Sequence, residues 1–212
     1  LPSRHAGLDA VFEHSWRLLS GADRVAFARL CVCRGGFDTA AADAIAGASA
    51  RQLERLVVKS LVRQVAPDRF DIHAFLRAAG ARRLDASDAL ARRVADAHAH
   101  HYLGTVAGLG RTPGAESRAF VAFADDNADN IAAAWQHAIR RRDRALVTSA
   151  VLDLTAHAYA QGTAAQGVAY CDEAIALLGG AERGDPDLDD GVDHAPGPAP
   201  EADAWPDAPA LV

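Results

Sequence analysis

Residues 49–75 read SARQLERLVVKSLVRQVAPDRFDIHAF, and the fold turns on their order. Ser49 with Gln52 three residues on has the form of a capping box, which opens a helix by satisfying two of its unpaired N–H groups. Leu53, Leu56, Val57, Ser60 and Leu61 then fall at i, i+3, i+4, i+7 and i+8, one face of that helix. Its opposite edge carries Arg51, Arg55 and Lys59. Leu61 to Val65 and Arg69 to Ile72 read as two strands around the turn residues Ala66, Pro67 and Asp68. A further helix begins near Ala74, which leaves a lone His73 where the second strand becomes that helix.

Upstream, Leu8, Val11, Phe12, Ser15, Trp16 and Leu19 recur at one-face helical spacing. Ser20 with Asp23 caps a second helix through about Val32, and Asp38 caps a short Ala-rich one that ends near Gly47. Four short helices, a hairpin and another helix are the order of a winged-helix domain, assigned to residues 1–84. Downstream, residues 85–180 read as helical throughout. Ser87 caps a long helix through about Val106, with Leu90, Val94, Ala97, His98, His101 and Thr105 on one face. Gly108 to Gly114 reads as a break, followed by a helix over Ser117 to Ala124 and another from Asn130 that repeats Ile131, Ala134, Trp135, Ala138 and Ile139. Two last helices, about 144–160 and 164–178, are divided by Gln161 and Gly162, the form of a tetratricopeptide-like unit. The expected class is therefore mainly α, a winged helix with a small β-hairpin wing followed by helical repeats.

The 212 residues are 50% hydrophobic and 24% charged, enough for one or two modest domains. Charge is uneven. Residues 1–84 hold 13 basic and 8 acidic side chains, net +5; residues 85–184 hold 9 and 12, net −3; residues 185–212 hold none and 8, net −8. That last stretch mixes Asp, Pro, Gly and Ala without apolar periodicity, so 181–212 is expected to be a disordered acidic tail. No apolar run approaches the ~20 residues of a spanning helix and no secretory signal opens the sequence, so a cytoplasmic setting is expected. The absence of Met suggests an internal segment of a longer protein. Cys31, Cys33 and Cys171 lack zinc-site spacing and read as free thiols.

Several pieces together resemble a known family. Ser15-Trp16-Arg17-Leu18-Leu19-Ser20, Arg34-Gly35-Gly36-Phe37, Val58-Lys59-Ser60-Leu61 and Asp71-Ile72-His73 look like the winged-helix module of bacterial STAND-type signalling ATPases, relatives of NB-ARC proteins often fused to LuxR-like or other transcriptional outputs. Asn130-Ile131-Ala132-Ala133-Ala134-Trp135 is similar to the entry into their tetratricopeptide-like repeats. The resemblance spans roughly Arg4 to Leu178, and it is specific as an ordered set. It implies a winged helix packed on an adjacent nucleotide-binding domain, with ATP or ADP held in the parent protein, and repeats that receive a protein or small-molecule signal. It also implies a role for His73: a Met-His-Asp-like motif at this place brings its histidine to the phosphates of bound ADP. Here the matching residues are Ile72, His73 and Ala74, so the histidine is kept and the acidic residue is absent.

Within the chain itself the chemistry is mostly excluded. A phosphate-binding P-loop needs a Gly-rich run before a Lys-Ser/Thr pair; the single lysine, Lys59, precedes Ser60, but residues 53–58 hold no glycine. There is no GxGxxG run after a strand, no HExxH helix and no GxSxG elbow, so no catalysis and no resident cofactor or metal are expected. His98, His100 and His101 lack the convergent third and fourth ligands of a zinc site. Asp125, Asp126, Asn127 and Asp129 lack the mid-loop glycine and closing glutamate of a calcium loop. Three readings stay open. The first is a non-catalytic regulatory fragment of a STAND-type ATPase, with His73 sensing nucleotide through the adjacent domain. The second is a DNA-binding winged helix, with Arg51, Arg55 and Lys59 facing either DNA or a neighbouring domain. The third is a tetratricopeptide-type adaptor.

Overall fold

The computed structural model describes residues 10, 12–110 and 118–179; the acidic tail at 181–212 and the expected helix residues Leu8, Val11 and Ser117 lie outside them. The chain is mainly helical with one small antiparallel hairpin, and it forms two compact units. One unit holds the described residues up to Val32 together with Asp38–Ala91; the other holds Cys33–Phe37 and the described residues from Arg92 on.

In the first unit, α1 covers residues 12–17, followed by α2 (Gly21–Leu30), α3 (Thr39–Ala46), α4 (Ala50–Val58), β1 (Arg63–Ala66), β2 (Arg69–Asp71) and α5 (Ala74–Leu84). The caps read from sequence set these boundaries. Ser20 Oγ accepts from Asp23 N at 3.1 Å, Asp38 Oδ1 from Ala41 N at 2.7 Å, and Ser49 and Gln52 close a reciprocal capping box. Gly47 ends α3 in the left-handed conformation that glycine adopts without strain. After α4 the chain turns at Ser60, and Leu61 N returns to Leu56 O at 3.0 Å. Leu61 and Val62 are thereby buried in the core, and β1 starts two residues later than the expected strand. The hairpin pairs Arg63 with Asp71 and Gln64 with Phe70, with a bulge before Ala66 opposite Arg69. Phe70 and Ile72 anchor it, while β1 is exposed along its length.

Phe12, Trp16 and Phe27 form the aromatic centre of this unit, with ring centroids 5.8–6.3 Å apart. Arg83 lies over the Trp16 ring at 5.2 Å and also pairs with Glu13, tying α5 to α1. α5 comes so close to α2 that a Cβ at Gly80 would collide with Cys31 Sγ and Phe27 Cε1.

The second unit contains α6 (Asp88–Gly110) from Arg92 on, α7 (Arg118–Asp126), α8 (Ala128–Arg141), α9 (Arg144–Ala160) and α10 (Ala164–Gly179). α6 runs on to Gly110, into the stretch Gly108 to Gly114 expected as a break, of which residues 111–114 lie outside the described ones. A glycine in a helix costs only about 1 kcal/mol, and the added turn carries the half-buried Leu109. Its buried stripe also differs from the expected face: Ala99, Tyr102, Leu103 and Val106 point inward with Val94 and His98, whereas Leu90, Ala97, His101 and Thr105 are half-exposed. On α8, Ile131, Ala134, Trp135 and Ala138 are buried as their spacing requires. Trp135 Nε1 donates to Glu173 of α10 at 2.5 Å, and its ring meets Tyr170 edge-on. α9 and α10 form an antiparallel pair across a short turn at Gly162, in touch where Thr155 Oγ1 lies 3.4 Å from Cys171 Sγ.

Two glycines should respond oppositely to alanine. Gly80→Ala is expected to destabilise the first unit by roughly 1–3 kcal/mol through overpacking, even though alanine is the better helix former. Gly104→Ala, at a helix position with nothing within 4 Å of a new Cβ, should stabilise by up to about 1 kcal/mol. Chemical denaturation of the two variants measures both signs.

Candidate functional site

His73 occupies the position from which α5 starts. Its backbone is extended, and its Nδ1 accepts from Phe75 N at 3.3 Å, so the ring itself is the N-cap. A nitrogen that accepts carries no hydrogen, which assigns the neutral ring as the Nε2–H tautomer. The residue is exposed, and Nε2 makes no hydrogen bond to the described residues. A donor nitrogen beside the positive end of a helix is chemically suited to an anion such as a phosphate.

The basic edge of α4 is not a uniform row. Arg55 grips Asp23 through Nε–Oδ2 at 3.2 Å and Nη2–Oδ1 at 2.6 Å, a two-pronged bond to a carboxylate that is itself buried. Asp23 sits in the first turn of α2, and its carboxyl is held below the usual range, first by the Arg55 bond, which outweighs burial, with Lys59 adding to the same effect. Arg55 therefore ties α4 to α2, while Arg51 is exposed and Lys59 half-buried. Because the folded pKa of Asp23 is lowered, this pair contributes stability above the unfolded value near 3.8 and loses it as pH falls through the lowered one.

The most enclosed polar group of the second unit is Asn130. Its Nδ2 donates to Gly36 O at 2.8 Å, and its Oδ1 accepts from Arg34 N at 2.6 Å and lies 3.1 Å from His98 Nε2. An amide oxygen only accepts, so His98 donates here and is neutral. Burial pushes the His98 ring down to about 4, against the Asn130 bond that favours its charged form, and the charges of His101, Arg34 and His137 add to the depression. The backbone that Asn130 grips is open because Gly35 and Gly36 take φ of +74° and +91°, and a Cβ on Gly35 would crowd Asp129. Two motif pieces far apart in sequence, Arg34-Gly35-Gly36-Phe37 and the run from Asn130 to Trp135, thus meet through one side chain.

Nothing among the family models, curated proteins or solved structures compared with this chain matches it.

The remaining sequence candidates serve local structure. His98 bonds to Asn130, the exposed His100 lies 3.7 Å from Asp143, and His101 is half-buried against the Tyr102 ring; no group of three or more potential metal ligands converges among the described residues. In the acidic run, Asp125 accepts from Gln161 at 2.9 Å and lies 3.3 Å from His157, Asn127 marks the start of α8, and Asp129 backs Gly35. Arg142 ends α8 in the left-handed conformation, and Arg141 lies 3.7 Å from Asp96. Cys31 and Cys33 are buried and Cys171 half-buried, all as thiols. Among the described residues no helix is long and apolar enough to cross a membrane. Sequence reading passed over Asp23 as a mere cap partner and Asn130 as one letter of a motif. A buried Asn at a helix's inward-facing position was the available signal for the second, since such an amide requires partners.

Two outcomes follow. Between pH 6.5 and about 4 the unfolded chain binds a proton that the folded His98 refuses, so stability of the second unit should fall with pH by up to about 3 kcal/mol in that window. His98→Gln should flatten the dependence in denaturant titrations at several pH values. For the α4 edge, Arg55→Glu should lower the melting temperature by several degrees, whereas Arg51→Glu should leave it within about 1 °C.

Proposed function

We propose that this chain is a non-catalytic regulatory segment of a STAND-type signalling ATPase or transcriptional regulator. In this reading the first unit is a winged helix that packs on a nucleotide-binding domain, and the second begins a tetratricopeptide-like region that receives a signal. A cytoplasmic setting goes with it. The observation that carries the reading is the state of His73: its inner nitrogen is spent on the helix, and its outer N–H is exposed beside a helix N-terminus, where the oxygen of a phosphate held by a neighbouring domain would accept it. The join between Asn130 and the Arg34–Gly36 backbone supports treating the separate motif pieces as one pattern. The bond from Arg55 to Asp23 weighs against the rival reading of direct DNA contact, since it leaves two of the three basic side chains for phosphates. The adaptor reading differs only in needing no nucleotide.

Acting alone, the chain should neither hydrolyse ATP nor bind it with micromolar affinity by calorimetry. Joined to its nucleotide-binding domain, His73→Asn keeps a capping oxygen but loses the imidazole N–H, and should speed ADP release by roughly 10- to 100-fold, the worth of one hydrogen bond to a charged group. An unchanged ADP off-rate would reduce His73 to a helix cap. A salt-dependent gel shift by the chain, lost in an Arg51→Glu/Lys59→Glu variant, would favour the DNA reading instead.

A further inference from the structure

The outer side of the α9–α10 pair breaks the pattern of the rest of the second unit. On α8 the exposed positions include Asp129, Gln136, Arg140 and Arg141, the ordinary solvated face of an amphipathic helix. No exposed position of α9 carries a charge, and among those of α10 only Asp172 does. Large apolar side chains stand there uncovered by described residues: Leu152 is 77% exposed, Tyr159 71%, Val168 55% and Ile175 67%. A helix that is apolar on both sides is normally covered on both.

These four side chains form one surface. Thr155 and Cys171 touch across the pair, and Leu152 and Tyr159 stand three before and four after Thr155. Val168 and Ile175 stand three before and four after Cys171. In antiparallel right-handed helices, equal offsets from a contact rotate to the same side, so the four make two rungs, Leu152 with Ile175 and Tyr159 with Val168. Val147, Leu154 and Ala158 of α9 and Ala174 of α10 rotate to the opposite side and are buried. Equal offsets also mean that a half-turn about the normal to the face exchanges the two helices and lays the rungs on one another.

We propose that this face docks a second copy of the chain, so that two α9–α10 pairs close into a four-helix interface. A two-fold axis lying in the face sets the same patch of one copy against that of the other, and the half-turn symmetry lets the rungs meet with the same spacing from either end. With Asp172 as its single exposed charged position, the face sets only one like-charged pair against its own image. The exposed parts of the four side chains and the alanines between them amount to on the order of 600 Å² per copy, close to the ~800 Å² that each partner gives to a standard interface. This inference is independent of the role of His73.

Sedimentation of the full chain, from low micromolar to a few hundred micromolar, tests it. The expected result is a monomer–dimer equilibrium, shifted to monomer by Leu152→Glu/Ile175→Glu with a Kd raised at least about 100-fold. Ala156→Arg, which adds charge to the same face at an exposed position and removes no buried contact, should weaken association with unchanged circular dichroism; it decides the matter if the double variant fails to fold. A chain that sediments as a monomer at every concentration overturns the proposal. A dimer that survives Ala156→Arg overturns it equally, by placing the contact elsewhere.

Discussion

One side-chain amide, fully buried on α8, organises the second unit. Asn130 has no water to fall back on, so each of its polar atoms must find a protein partner or cost one to three kcal/mol, by roughly the usual measure. It finds them in the Arg34 N–H, the Gly36 carbonyl and the His98 ring. Each partner then constrains something else. The backbone around Arg34 presents both groups to one amide because two successive glycines take positive φ, and His98 is held neutral in a site where its charged form would be unpaired. The network selects one arrangement of α6, α8 and residues 33–37, because an amide that slips by one position loses all three bonds together.

In the first unit a charge pair does related work. Asp23 opens α2 as the residue whose N–H the Ser20 cap takes, and its carboxylate is buried where α4 passes. Arg55 meets it with two bonds while remaining partly in water, a geometry that spares the guanidinium most of its desolvation cost. The same side chain therefore reads in sequence as part of a basic recognition edge and acts in the fold as a tie between helices. Charge sign along a helix says nothing about which charges are already neutralised.

Much of the local structure was legible. Ser20, Asp38, Ser49 and Gln52 set helix starts through bonds that span three residues, and the strand signals around Pro67 located the hairpin to within two positions. His73 at the strand-to-helix junction could be placed too, though not the use of its Nδ1 as the cap. The errors share a cause. Gly108 read as the start of a break because glycine is a poor helix former, but α6 tolerates it and runs to Gly110; Leu61 and Val62 read as strand because they are apolar, but they were needed in the core.

The sequence by itself determined the helical class, the order of the elements, most caps and the lack of a P-loop, because each depends on residues within a turn or two of one another. Tertiary structure alone decided that Arg55 belongs to Asp23, that Asn130 joins two distant motifs, that α5 needs a glycine at position 80, and that α9 and α10 keep an apolar side uncovered by described residues. Those outcomes depend on which residues distant in sequence end up within a few ångströms, and periodicity reports only which face of a helix is apolar. What a face meets is settled when the helices pack.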